Sequence, residues 1–442
     1  MRTHIKKTGK LATLAIGIGL GLTVTVSNTA DAADWPAYRG PKQDGISQEA
    51  LGGVIKPTTL WTTDVNMGFS SFAVADGKIF TLELGQGDLD GLEVCTARDA
   101  TSGRLLWSTS LSSATYDGGG NAGANDNKGG DGPRSTPAFY KDGIITLSAQ
   151  LVLSRLNPEN GQKVWENDMK ELHGAELPRW QNAASPLVVD GKIYLCAGGK
   201  DQSLLCFDAI SGDLKWKSGT EDMTHTSPIH ATIEGVDQVI FFVRSGLVSV
   251  DPASGKELWK QDFSFNISTA ASPVVDGNTV YCSAGYGVGA AAYQVTLKDG
   301  VWKTDELWRK RNRLMNHWST PVVRNGYLYG MFSFKKYGTG PVMCVRLSDG
   351  EEMWSTEGFG PGNVILAQDQ LIALSDAGDL VFIEPTPSAY KENFRMDALE
   401  GKCWSTPALA DGKVYIRSTT QAAALTVAPG PVASLIQSQD LN

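Results

Sequence analysis

SPLVVDGKIYLCAGGKDQSLLCFDAISGDLKW, residues 185–216, is the unit that the rest of the chain copies. Its apolar, β-branched runs are short and are broken by Asp190-Gly191, Gly198-Gly199 and Ser211-Gly212. At each break glycine supplies the positive φ of a tight hairpin turn. Three turns imply four antiparallel strands, and Trp216, four residues past Gly212, falls on the outermost one.

The same grammar recurs in register. A Ser-Pro, Ser-x-Pro or Ser-Thr-Pro lead-in stands at Ser135/Pro137, Ser185/Pro186, Ser227/Pro228, Ser272/Pro273, Ser319/Pro321 and Ser405/Pro407. A first-hairpin glycine follows at Gly77, Gly143, Gly191, Gly277, Gly326 and Gly412, preceded by Asp or, at Asn325, by its amide. The closing aromatic residues are Trp61, Trp107, Trp165, Trp216, Trp259, Trp308, Trp354 and Phe394. Self-similarity at a period of roughly 40 to 50 residues, four strands per period, is the signature of a β-propeller. The closing residues count eight blades.

The expected fold is therefore all-β, an eight-bladed propeller of four-stranded antiparallel blades. The strand around Trp61 has no three strands before it, whereas residues 405–427 supply three and stop at Pro429-Gly430-Pro431. The N-terminal strand is expected to complete the C-terminal blade, which closes the ring and removes an exposed sheet edge. Two blades depart from the pattern. The fifth runs YQVTLKDGVWKTDELW (residues 293–308) in place of the Asp-x-x-Ser-Gly turn, and the seventh (residues 362–397) has no Ser-Pro lead-in.

A chain of 442 residues exceeds the usual size of one core, but a propeller grows by adding blades, so one large domain is expected. The divisions read as a signal peptide at 1–32, an arm at 33–58, the propeller at 59–428 and a tail at 429–442. In the arm, Trp35, Tyr38 and Arg39 form either a binding motif or an anchor pinning the arm to the side or base of the ring. Residues 114–132, with YDGGGNAGANDNKGGDG at their centre, read as a polar surface loop. The net charge of -9 argues against nucleic acid as a partner.

Arg2, Lys6, Lys7 and Lys10, then the apolar run Leu11 to Val26, then Ala30-Asp31-Ala32, make the pattern of a cleaved secretory signal. The apolar run contains Gly17, Gly19 and Gly21 and is shorter than the roughly 20 residues of a bilayer span. The expectation is an exported protein, periplasmic or extracellular, without a transmembrane span after cleavage. With no cysteine before Cys95, it is also expected not to be lipid-anchored. Of the six cysteines, Cys196 and Cys206 flank one hairpin and are either bridged or, like the other four, buried free thiols.

KIYLCAG…LLCFDAISGDLKW and LVSVDPASGKELW resemble the pyrroloquinoline-quinone (PQQ) repeat, and the resemblance extends over about residues 59–428. That family includes quinoprotein alcohol dehydrogenases and non-enzymatic members such as BamB, a propeller lipoprotein of the outer-membrane β-barrel assembly machine. The resemblance implies the fold. For a dehydrogenase it also implies a tryptophan floor under PQQ, a disulfide between adjacent cysteines, and calcium held by carboxylate and amide oxygens. The sequence has no Cys-Cys dipeptide and no CxxCH haem site, and the calcium ligands do not map residue by residue.

Candidate site residues follow from the propeller itself. Innermost strands line the central channel, so the residues before each lead-in converge on one mouth. Among these are Arg134, Arg179, Trp180, Asn182, His225, Asn266, Asn316, His317, Trp318 and Trp404. Arg134, Arg179, Trp180, His225, His317, Trp318 and Trp404 are the candidate ligand-binding set. They suit a protein partner or a small planar or anionic ligand, or else they plug the channel. His225 and His230 do not make a metal site by spacing alone, and the serines belong to the repeat, with no Gly-x-Ser-x-Gly elbow. Gly285-Tyr286-Gly287-Val288-Gly289 reads as a hairpin turn. No catalytic residue emerges. Two readings stand: a non-catalytic binding or scaffolding propeller, and a PQQ- and calcium-dependent dehydrogenase.

Overall fold

The computed structural model describes residues 34–51, 56–116, 132–265, 267–332 and 340–427. The short alternating runs form eight antiparallel sheets in sequential strand order. Blades 1 to 7 span residues 73–113, 138–168, 187–218, 229–262, 274–311, 322–356 and 363–397. Blade 8 takes three strands from residues 408–426 and its outermost from Thr58–Asp64. There Trp61 lies opposite Ala424 and Asp64 opposite Gln421. The expected closure is present.

The recurrent tryptophan and turn glycine prove to be two halves of one contact between neighbouring blades. Trp165 of blade 2 donates its indole N–H to Ile210 O of blade 3 at 2.9 Å. A Cβ on Gly212 would stand 2.7 Å from that ring, and the glycine has φ +77. Backbone conformation and the neighbour's ring thus both demand glycine. The arrangement recurs for Trp61 on Gly103, Trp107 on Gly161, Trp216 on Gly255 and Trp308 on Gly350. Where blade 5 lacks the turn, Trp259 instead bonds Gln238 Oε1 in its own blade at 2.6 Å.

The Ser and Thr of the lead-ins have a comparable cause. Ser71 N donates to Thr136 Oγ1, Thr136 N to Ser185 Oγ, and Ser185 N to Ser227 Oγ, at 2.8 to 3.0 Å. Ser272 N donates to Thr320 Oγ1 at 3.0 Å, and Thr406 N to Ser71 Oγ at 2.8 Å. These hydroxyls satisfy backbone groups that would otherwise be buried unpaired between blades. Blade 7 begins Pro361-Gly362-Asn363 and brings no hydroxyl. Arg39 of the arm is buried at that junction and serves different groups, donating to Thr320 O at 2.7 Å and Pro321 O at 2.9 Å.

That bond explains the arm. Trp35 is 1% exposed and pairs with Val74 in the innermost strand of blade 1; Pro36 O accepts from Phe139 N of blade 2. Ile46–Ser47 adds a parallel strand to the free inner edge of blade 7, opposite Leu366 and Ala367. Glu49 then caps the first turn of blade 8 by accepting from Asp411 N and Gly412 N. The arm lies along the inner strands of the ring. Trp35 and Arg39 are buried anchors.

Two local readings need correction or resolution. In blade 2 the first turn is Lys141-Asp142, with Lys141 at φ +53, and Gly143 opens the next strand. Glycine is needed there because a Cβ would stand 2.2 Å from the Arg155 guanidinium. All six cysteines are buried and free. The register sets Cys206 opposite Tyr194 and Cys196 opposite Leu204, so the two thiols do not face each other. The stretch expected to be a signal peptide, Asn266, most of the expected polar loop and the expected C-terminal tail lie outside the described residues.

Candidate functional site: the axial mouth

Hydrogen bonds join the eight lead-in segments in cyclic order. Phe69 N donates to Pro133 O at 2.7 Å, Arg134 Nη1 to Trp180 O at 3.0 Å, and His225 Nε2 contacts Arg179 O at 2.8 Å. His225 N donates to Thr269 O at 3.2 Å, and Ala270 N to His317 O at 2.7 Å. Trp318 Nε1 donates to Pro361 O at 2.9 Å, Asn363 Nδ2 to Trp404 O at 2.6 Å, and Ser405 Oγ to Phe69 O at 3.2 Å. All seven candidate residues therefore stand around one mouth.

The rings form a run across it. Centroid separations are 4.8 Å for Tyr286–His317, 5.0 Å for His317–Trp318, 4.9 Å for Trp318–Trp404 and 5.1 Å for Trp404–Phe69. Arg134 lies 5.9 Å over Phe69, and Arg179 lies 4.5 Å over Trp180. Trp180 and Gln181 hold φ of +69 and +56, conformations that bulky residues adopt at a cost of about 1–3 kcal/mol each. The Arg134 bond to Trp180 O helps hold that loop.

Burial lowers the pKa of His225 to about 4, and nearby Arg134 adds to this against the pull of the Arg179 carbonyl. Burial, with His225 adding to it, lowers that of His317 to about 3. Both rings are uncharged at neutral pH, and Arg134 and Arg179 remain as the cations of the mouth. The neutral His225 donates from Nε2 to the Arg179 carbonyl, so its Nδ1 accepts from the Ser268 hydroxyl at 2.6 Å. His230 instead stands 4.0 Å from Asp237, so the two histidines of HTSPIH serve different partners.

Two carboxylates that the sequence pattern did not reveal complete the site. Asp376, 3% exposed, accepts from Trp404 Nε1 and pairs with Lys402 at 2.8 Å. Glu93 is fully buried and accepts at Oε2 from Ala149 N at 2.8 Å and Ser112 Oγ at 3.3 Å. Its Oε1 has no hydrogen-bond partner among the described residues. Burial lifts its pKa to about 7, against the pull of those bonds and of Arg134. Both sit on strands or turns that look like ordinary repeat residues, and only the ring brings them to the mouth. Tyr286 and Phe69 were equally hidden.

Trp318 and Trp404 tilt at 43° against each other. Asp376 is already engaged, and among the described residues no three His, Cys, Asp or Glu side chains gather into a metal-holding group.

The fold and lead-in grammar define a PQQ-like repeat propeller. The family model described as outer membrane protein assembly factor BamB matches residues 93–356, and the chain belongs to that family. Among solved structures, BamB from Moraxella catarrhalis is 12% identical, with a TM-score of 0.58, over 84% of this chain and all of that one. The quinohemoprotein alcohol dehydrogenase of Comamonas testosteroni is also 12% identical, with a TM-score of 0.62, over 90% of this chain and 81% of that one. At such identity the likenesses establish the fold. No curated protein matches the chain by sequence.

Proposed function

We propose that the protein is an exported, non-catalytic binding propeller that presents its axial mouth to a protein partner. The observation that carries this reading is the run Tyr286–His317–Trp318–Trp404–Phe69 with Arg134 and Arg179 beside it. Tryptophan, tyrosine and arginine are the residues that dominate binding energy at protein interfaces. Here Trp318 and Arg134 donate to backbone carbonyls of neighbouring blades and Trp404 to Asp376, so these three lose little side-chain freedom on binding. The family description as an assembly factor supports the same reading, and the N-terminal pattern of basic residues, apolar run and Ala-x-Ala supports export.

The test against catalysis is direct. Purified protein is equilibrated with PQQ and calcium, then assayed for dye-linked oxidation of primary alcohols. The expected result is no stoichiometric PQQ uptake and no turnover. One-to-one uptake with turnover would establish the dehydrogenase reading instead.

A further inference from the structure

Beside the mouth, between blades 4 and 5, lies a second concavity of about 420 Å³. Its walls are the lead-in of blade 5 (Ser264, Phe265, Ile267, Ser268), the turn Gly285 to Val288, and the end of the outer strand with Arg309 and Arg311. Its size is that of a small-molecule site. Among the described residues no Asp or Glu lines it, although the chain carries a net charge of -9.

The two arginines differ. Arg309 is committed: its guanidinium bonds Glu306 at 2.9 Å and Tyr293 Oη at 2.6 Å and lies 4.9 Å over Phe263. Arg311 is exposed and forms no ion pair with any described residue. It belongs to Arg309-Lys310-Arg311-Asn312-Arg313, a basic run in an acidic protein. Ile267 and Tyr286, which line the same concavity, leave 42% and 54% of their surface in contact with water, unusual exposure for large apolar groups in a concave wall. Tyr286 holds φ +55 and is fixed edge-on against His317, so its ring is positioned in advance.

We infer that this pocket binds an organic anion with a planar apolar body, the anionic oxygens on Arg311 and the body between Ile267 and Tyr286. Ser268 cannot donate to the anion, because its hydroxyl proton is given to His225 Nδ1. Arg311 therefore carries the charge recognition, and Ser268 offers lone pairs. The inference rests on the reading that this face is the binding face, to which Tyr286 and Ser268 connect the pocket through His317 and His225.

The test uses 2-naphthoate as the probe, with the uncharged 2-naphthamide as its isostere, titrated calorimetrically into the full-length mature protein. The acid should bind at one site, at least about tenfold more tightly than the amide. Arg311→Gln should remove that difference, while Tyr286→Ala should weaken both probes alike; both substitutions are at exposed positions, and circular dichroism checks the fold. Equal binding of acid and amide, undiminished binding by Arg311→Gln, or no saturable binding of the acid at millimolar concentration would each overturn the proposal. Those failures leave the scaffold reading standing, whereas turnover with PQQ and calcium would sink that reading without touching the pocket.

Discussion

Trp318 and Trp404 meet with ring centroids 4.9 Å apart, although they come from the lead-ins of blades 6 and 8. Blade 7 lies between them and contributes Pro361 O, which accepts the Trp318 indole N–H, and Asn363 Nδ2, which donates to the Trp404 carbonyl. The ring of its lead-in, Phe359, is buried against Tyr390 and Arg395 instead, and the two tryptophans meet each other. The pair is held from below by Asp376, which accepts from Trp404 Nε1.

Trp318→Ala and Trp404→Ala should each weaken partner binding by more than the lost area alone, by about 0.5–1.5 kcal/mol. Titration of the partner against folded variants measures this. Wild-type affinity in both variants would mean that the pair merely plugs the channel.

Gly212→Ala should destabilise the protein by about 2–4 kcal/mol, since the new methyl meets the Trp165 ring in a backbone conformation already unfavourable for alanine. Gly300 has the same φ of +77 but nothing within 4 Å of its virtual Cβ, so Gly300→Ala should cost only the backbone part, about 1–2 kcal/mol. Urea midpoints compare the two. In a Trp165→Ala background the excess at Gly212 should vanish; if it persists, the ring is not its cause.

Arg39→Met should cost about 3–5 kcal/mol, because the carbonyls of Thr320 and Pro321 lose their buried donor and the arm loses its tie to blade 6. Loss of the arm's protection from protease should accompany the drop in thermal midpoint. An unchanged midpoint would show that the arm is dispensable to the ring.

The pH dependence of stability should have two limbs of opposite sign. Glu93 has a folded pKa of about 7 against 4.5 when unfolded, so the folded state retains the proton longer. Its contribution is greatest at low pH, declines as pH rises from about 4.5 to about 7, and is flat above. His225 and His317, at about 4 and 3 against 6.5, behave in the opposite way: their contribution is complete above about 6.5 and is lost as pH falls. Glu93→Gln should flatten the upper limb and raise stability at pH 8 by on the order of 3 kcal/mol, leaving the acid limb in place. Chemical denaturation from pH 4 to 8 reads both limbs; a variant curve parallel to wild type would remove Glu93 from this account.

The blades were legible in the sequence because the contacts between them repeat. A tryptophan and a turn glycine recur at fixed spacing since each Trp165-on-Gly212 contact is remade around the ring, and the lead-in Ser and Thr recur since each satisfies a neighbour's backbone. The convergence of the lead-ins was legible for the same reason. What was hidden depends on single, non-repeating contacts. Arg39 finds blade 6 across more than half the chain, Asp376 reaches Trp404 from a different blade, and Trp259 turns back to Gln238 where the glycine turn is missing. Arg311 is the last residue of the outer strand of blade 5. The side of the pocket it faces is fixed by the lead-in of its own blade and the turn at Tyr286, neither of which its local pattern announces.

The central claim is that the axial mouth is the surface that meets a partner. It is tested most directly by placing a photo-crosslinking amino acid at Trp404 or Arg179 and, as a control, at Val301, which is 68% exposed on the outer strand of blade 5. Irradiation of intact cells should give one discrete protein adduct from the two mouth positions and none from Val301. Adducts from Val301 alone, or none from either mouth position in a folded and exported protein, would contradict the account.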